Sequence, residues 1–236
     1  MENVIAPCHV SIDCVVFGFD GERLNVLLLR RYGEDQGSVF HDMKLPGSLI
    51  YQDENLAEAA SRVLTELTGL KRVALTQFKA YGSKDRTRDP KDVHWLERAQ
   101  QTKVERIVTV AFLALTRISR MRPLTQVEAC WVPIDEIPAL AFDHNIIIQD
   151  SLNYLRNYVP LEPSSMFRLL PPQFTISQLR KVYNAVTGEQ IDARNFYKKL
   201  KVMPYVVPSK YKETGVAHRA ARLFNFDTKT YNKYRI

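Results

Sequence analysis

Residues 47–70 read GSLIYQDENLAEAASRVLTELTGL. Asn55 can accept backbone N–H bonds at a helix start, and Glu58, three residues on, completes a capping box. Leu56, Ala59, Ala60, Val63, Leu64 and Leu67 then recur at helical spacing and make a wide apolar face. Glu58, Arg62 and Glu66 follow at i, i+4 on the other side, where they can pair along the surface. Gly69 stands where a left-handed C-terminal glycine belongs. The spacing predicts a capped amphipathic helix over 55–68.

Outward from that helix the chain changes period. His9 to Phe19 (HVSIDCVVFGF) and Leu24 to Arg30 (LNVLLLR) are rich in β-branched and aliphatic residues, with the turn signal Asp20-Gly21 between them. The apolar run Val26 to Leu29 fits a strand buried on both faces. A loop then leads to Met43-Lys44-Leu45-Pro46-Gly47. Further strands are expected at 72–82, 106–115 and 127–133, a helical turn at Ile134 to Leu140, and a longer helix over 143–158. Residues 83–105, SKDRTRDPKDVHWLERAQQTKVE, are charged and poorly periodic and read as a long surface loop. This order predicts an α+β fold, a mixed sheet flanked by helices.

Val159-Pro160-Leu161-Glu162-Pro163-Ser164-Ser165 breaks the pattern, which divides the chain into domains 1–160 and 161–236. In the second, Thr175 caps a helix with Leu179, Val182, Tyr183 and Val186 inward, ended by Gly188. Asp192 caps another over Ala193 to Val202, with Phe196 and Leu200 inward. Two β-like runs, Tyr205-Val206-Val207 and Arg222 to Phe226, complete the pattern of a winged helix-turn-helix.

The charge is divided the same way. Residues 1–160 hold 19 Lys+Arg against 21 Asp+Glu, and residues 161–236 hold 14 against 5, so the whole net charge of +7 comes from a C-terminal module at +9. Such asymmetry points to a polyanionic partner. Arg194 and Asn195 stand at the first turn of the second helix, where base edges are reached. Lys198, Lys199 and Lys201 suit phosphates, and Lys210, Lys212, His218 and Arg219 surround the expected wing tip. No run of 18 apolar residues is present, and MENVIAPCHV lacks the pattern of a secretory signal. Cys8, Cys14 and Cys130 lack CxxC spacing, so neither a disulfide framework nor a zinc site is expected, and a reducing cytoplasm fits.

Residues 47–70 resemble a Nudix box, G-x5-E-x7-R-E-U-x-E-E-x-G-U with U a bulky aliphatic. Ser48 falls at the first Gly, Glu54 at the first Glu, Arg62 at Arg, Leu64 at U, Glu66 at the first Glu of the pair, and Gly69-Leu70 at the end. In active members of that family, carboxylates at three helix positions hold magnesium and activate water; here they are Val63, Glu66 and Leu67. The resemblance thus implies a degenerate box without metal or cofactor, not an enzyme, in which Glu66 forms a surface pair with Arg62. The alternative is a hydrolase of ADP-ribose or a nucleoside diphosphate derivative.

A Nudix-like domain followed by a winged helix resembles the NrtR-type Nudix-related transcriptional regulators. Arg194-Asn195-Phe196-Tyr197-Lys198-Lys199-Leu200 is similar to their R-N-F-x-K-K recognition helix. His218 to Phe226 is similar to their H-R-P-A-x-L-Y-x-F wing, with Ala220 in place of Pro. Asp13, the Glu66-Leu67-Thr68-Gly69 end of the box and Phe142-Asp143-His144 resemble the arabinose-responsive AraR branch. The resemblance implies a homodimeric repressor of sugar catabolism on double-stranded operator DNA, with L-arabinose or a related sugar as effector and ADP-ribose as the alternative. Asp13, Lys44, Asp85, Arg86, Trp131 and His144 are the candidate effector contacts, although a strand Trp is more often core and a buried Asp is often a satisfied structural group.

Overall fold

The structure is a computed structural model that describes residues 8–121, 127–215 and 219–234. His218 lies outside the described residues. The chain forms two compact units, one built on Asn25–Leu152 with the residues up to Gly18, the other on the chain from Asn153 onward with Phe19–Leu24. No helix among the described residues is long and apolar enough to cross a membrane.

The first unit is built on β1 (His9–Phe19), β2 (Leu24–Asp35), β3 (Ser38–Lys44), β4 (Gly47–Leu49), α1 (Leu56–Thr68), β5 (Leu75–Tyr81), α2 (Pro90–Gln100), β6 (Ile107–Leu115), β7 (Ala129–Pro133) and the first part, through Leu152, of α3 (His144–Tyr158). Its sheet runs β3-β2-β1-β6-β5, with β4 added to β1 and β7 to β2. β1 and β6 pair in parallel, whereas the pairs β1–β4, β2–β3, β2–β7 and β5–β6 are antiparallel, so the sheet is mixed. β1 is its axis and is buried from Ser11 to Phe19.

Strand alternation turns Ile12, Cys14 and Val16 into one hydrophobic cluster with Ala59, Ala60, Val63 and Leu64 of α1. α1 is closed at both ends by its own sequence. Asn55 accepts the N–H groups of Ala57 and Glu58, the Glu58 carboxylate accepts the Asn55 N–H, and Gly69 adopts φ 69°. Glu58 is thereby used in the cap, and Arg62 turns to Glu54 and Glu66.

Three stretches differ from their sequence reading. The loop expected after β2 is the β2–β3 hairpin, turning at Gln36-Gly37, because its strands are half exposed and carry no apolar alternation. The expected loop 83–105 contains a 3-10 turn, Lys84–Thr87, and α2, capped by Asp89 with Pro90 at its first turn. The only fully buried residue of α2 is the charged Asp92, so no apolar stripe announces the helix. Ile134 to Leu140 forms a turn and no helix.

The second unit opens with a 3-10 helix, Pro163–Leu169, which buries Met166, Phe167 and Leu169 where only a linker is expected. α4 (Ile176–Thr187) and α5 (Ala193–Leu200) follow, then the β8 (Val206–Lys212) and β9 (Arg222–Phe226) hairpin and α6 (Thr228–Tyr234). This is a winged helix-turn-helix. Thr175 and Gln178 form the capping box of α4, and Asp192 caps α5. α6 is polar, TKTYNKY, and is held through Tyr231, which stacks against Tyr205 and Phe226.

The cap should be measurable separately from the core. Asn55→Ala should lower stability by about 1 kcal/mol, and Leu64→Ala by about 2–5 kcal/mol, both read from urea unfolding midpoints. An Asn55→Ala protein as stable as wild type would remove the cap from the account of α1.

Candidate functional site

Asp13 follows Ile12 and precedes Cys14, so its side chain leaves the α1 face and points to the opposite one. There its carboxylate is buried and accepts a hydrogen bond from Arg86 Nη2 at 3.3 Å. The same nitrogen donates to Asp143 at 3.0 Å. His144 Nδ1 accepts the Leu45 N–H at 3.0 Å, which leaves Nε2 as the protonated nitrogen, 3.4 Å from Asp13 Oδ1. Gly47 faces Asp13 in the β1–β4 register, and a Cβ there would sit 2.2 Å from Asp13 Oδ1. Only glycine allows this approach.

Lys44 closes another side. Its buried ammonium donates to the carbonyls of Leu45 and Gly47 and lies 5.5 Å from the centre of the Trp95 ring. Asp13, Lys44, Arg86, Trp95, Phe142 and His144 line a cavity of about 40 Å³. A wider depression of about 510 Å³ shares Arg86 and Phe142 with it and carries Asp85, Asp89, Asp92 and Asp143. Arg86 Nε and Nη1 are buried without a partner among the described residues, so two donors await an acceptor.

Burial by itself would raise the Asp13 carboxyl, but the hydrogen bond from His144 Nε2 and the charge of Arg86 outweigh it and hold it below the usual carboxylate range. Burial pushes the Lys44 ammonium down to about 8, against the opposing pull of Asp13.

The wall containing Trp95 is held by Arg31, whose buried guanidinium binds Asp42 at 2.7 and 2.6 Å and Asp92 at 2.5 Å. The rings of Phe40, Trp95 and Phe142 surround it with centroids 4.9–5.5 Å away. Asp92 also accepts the Phe142 N–H at 2.8 Å, and Phe142 is held at φ 55°, in the left-handed region that a bulky residue rarely adopts.

Of the effector residues expected from sequence, Asp13, Lys44, Arg86 and His144 meet at the cavity. Asp85 is exposed on the wider mouth. Trp131 lies elsewhere: it packs against Gly18 and the α1-side core, as strand tryptophans usually do. The tryptophan of the cavity is instead Trp95, whose helix reads as loop from sequence. Phe142 and Asp143 also line the site, although only His144 of the string Phe142-Asp143-His144 is an expected contact.

The Nudix-box positions are arranged differently from a metal site. Arg62 binds Glu54 with two hydrogen bonds of 2.8 and 2.5 Å and Glu66 at 3.2 Å, and its guanidinium lies 3.8 Å from the Tyr51 ring centre. Val63 is fully buried and Leu67 packs on the core. Magnesium needs several hard oxygen ligands, and positions 63, 66 and 67 offer one carboxylate, Glu66, already paired with Arg62. Among the described residues no group of three or more His, Cys, Asp or Glu is placed to hold a metal.

On α5, Phe196 is buried and stacks against Tyr183 at 5.7 Å, which fixes the rotation of the helix. Arg194, Tyr197, Lys198 and Lys201 are exposed. Asn195 is exposed but donates its amide to Asp192 at 2.6 Å and accepts from Lys198 at 3.2 Å. Lys199 is drawn inward, donating to the Tyr183 hydroxyl at 2.5 Å with its ammonium 4.4 Å from that ring. Lys210, Lys212 and Arg219 are exposed on or beside the hairpin.

Residues 7–151 match the family pattern described as NUDIX domain, and residues 166–226 match the NrtR DNA-binding winged helix domain. A curated relative, the ADPR responsive transcriptional repressor NtrR of Acinetobacter baylyi, is 28% identical over 232 residues, covering 94% of this chain and 84% of its own. Among solved structures, Shewanella oneidensis NrtR complexed with a 27mer DNA superposes with a TM-score of 0.71 at 24% identity, covering 94% of this chain and 95% of that one. A MutT/nudix family protein from Enterococcus faecalis superposes at 0.66 with 21% identity, covering 96% and 89%. At these identities the structures speak for the fold alone.

A carboxyl held below its ordinary range contributes stability that is present above about pH 4 and lost as pH falls toward its folded value. Asp13→Asn should therefore lower stability at pH 7, by about 3–5 kcal/mol for a broken buried pair. The gap to wild type should stay constant above about pH 4 and close as the pH is lowered from 4 toward 2. Parallel unfolding curves with a constant gap across that range would contradict the role given to Asp13.

Proposed function

Because this chain belongs to the Nudix family and carries a winged helix of the NrtR type behind its Nudix domain, we propose that it is a ligand-responsive transcriptional repressor without hydrolytic activity. Domain 1–160 binds the effector, and domain 161–236 binds double-stranded operator DNA in the cytoplasm. The exposed cationic face of α5, with Arg194, Lys198 and Lys201, carries this reading. The hydrocarbon at positions 63 and 67 of the box supports the absence of hydrolysis. Two DNA-reading helices one duplex turn apart require a two-fold assembly, so the acting species is a homodimer.

The effector is a neutral sugar, L-arabinose or a related pentose. Sugar hydroxyls both donate and accept, which suits Asp13 beside the two unpartnered donors of Arg86, with the Trp95 ring as an apolar face. The wider mouth sets four aspartates against Arg86 and Arg88, an unfavourable wall for a metal-free diphosphate. The sugar binds the DNA-incompetent form more tightly and so releases the operator, because a ligand shifts an equilibrium only by its differential affinity. The second reading, ADP-ribose, is favoured by the name of the Acinetobacter baylyi relative.

Two measurements check these assignments. Lys198→Ala and Lys201→Ala should weaken binding to every duplex and flatten the salt dependence by about one unit of log–log slope per lost phosphate contact; wild-type behaviour of both on non-specific DNA would sink the phosphate role. L-arabinose, D-xylose and ADP-ribose, titrated in parallel into the protein–DNA complex with magnesium present, should give release by a pentose and recovery of ADP-ribose intact. Release by ADP-ribose alone would select the second reading, and its steady hydrolysis would restore the enzyme.

A further inference from the structure

On α5 the aromatic side chain left without a structural task is Tyr197. Its neighbours are engaged: Phe196 anchors the helix on Tyr183, Asn195 is tied to Asp192 and Lys198, and Lys199 is tied to the Tyr183 hydroxyl. Tyr197 is 55% exposed, and its side chain has no partner among the described residues. Residues three and four apart share one side of a helix, so Arg194, Tyr197, Lys198 and Lys201 form a single face opposite Phe196. An aromatic ring therefore stands on the outer face amid three cations. Tyr197 also occupies the position that the R-N-F-x-K-K pattern leaves open.

We infer that Tyr197 reads sequence, packing its ring against the C5-methyl group of one thymine in the major groove, while Lys198 and Lys201 hold flanking phosphates. The occupant of this face follows from charge: the module carries 14 Lys+Arg against 5 Asp+Glu, and a polyanion with an apolar element in its groove matches a ring framed by cations. The thymine methyl is the one apolar group that base edges display there. The ring makes this contact, so the hydroxyl is dispensable for it. The inference rests on the proposed DNA-binding role.

The full-length protein tests it. Duplexes are selected from a randomised pool, and each thymine of the selected site is then replaced in turn by deoxyuridine, which deletes only the methyl. Wild type should lose about fourfold in affinity at one position of each half-site, the equivalent of one buried methyl group. Tyr197→Phe should keep that sensitivity and Tyr197→Ala should lose it, with no other position affected. Uniform insensitivity of wild type, or equal sensitivity of wild type and Tyr197→Ala, would overturn the inference and leave DNA binding standing. If wild type enriches no sequence at all, the DNA-binding reading fails and this one with it.

Discussion

A carboxylate placed in the middle of a buried strand has to be answered by donors and cations, and Asp13 is placed there. Leaving it unpaired would be costly. The chain supplies Arg86 from the 3-10 turn after β5, His144 from the first residue of α3, and a glycine at 47 so that β4 can pass close. Those three answers bring together elements that are far apart in sequence. The pocket is the space they enclose, and the cost of one buried charge is what keeps it in place.

Arg31 is the counterpart on the neighbouring strand. It carries the insert between β5 and β6 by binding Asp92, and through Asp92 it fixes the corner at Phe142 in a left-handed conformation. That corner delivers Asp143 to Arg86 and His144 to Asp13. Asp92 touches both halves of the arrangement, so the helix that reads as a charged loop is the link between the sheet and the pocket wall.

The box and the pocket occupy different faces of β1. α1 has the capping box, the apolar stripe and the terminal glycine that make it fold, with Val63 and Leu67 in its hydrocarbon packing and Glu66 paired with Arg62. Losing carboxylates from that side leaves Asp13 and its partners untouched. The winged helix shows a related economy: two polar side chains of α5 are spent holding the helix, and the outward face is left to the remainder.

Elements whose signals close within a few residues were determined by sequence alone. α1, α4 and α5 are each opened by a side-chain cap, and α1 and α4 are closed by a left-handed glycine, so those limits follow from local hydrogen bonding, whereas α5 ends at Leu200, short of the expected Val202. The β1–β2 turn is equally local, with Asp20 accepting the N–H groups of Glu22 and Arg23. The charge division and the altered box positions needed no coordinates either. What only the tertiary structure decided has a partner far along the chain. α2 is stabilised by Arg31, 61 residues before Asp92, and no periodicity records an ion pair. The choice of Trp95 over Trp131 as the cavity aromatic depends on which face of the sheet each meets. The withdrawal of Lys199 from the basic face depends on where Tyr183 of the preceding helix places its hydroxyl. Local caps and patterns are written in adjacent residues, whereas a buried charge chooses its partners only once the chain has folded around it.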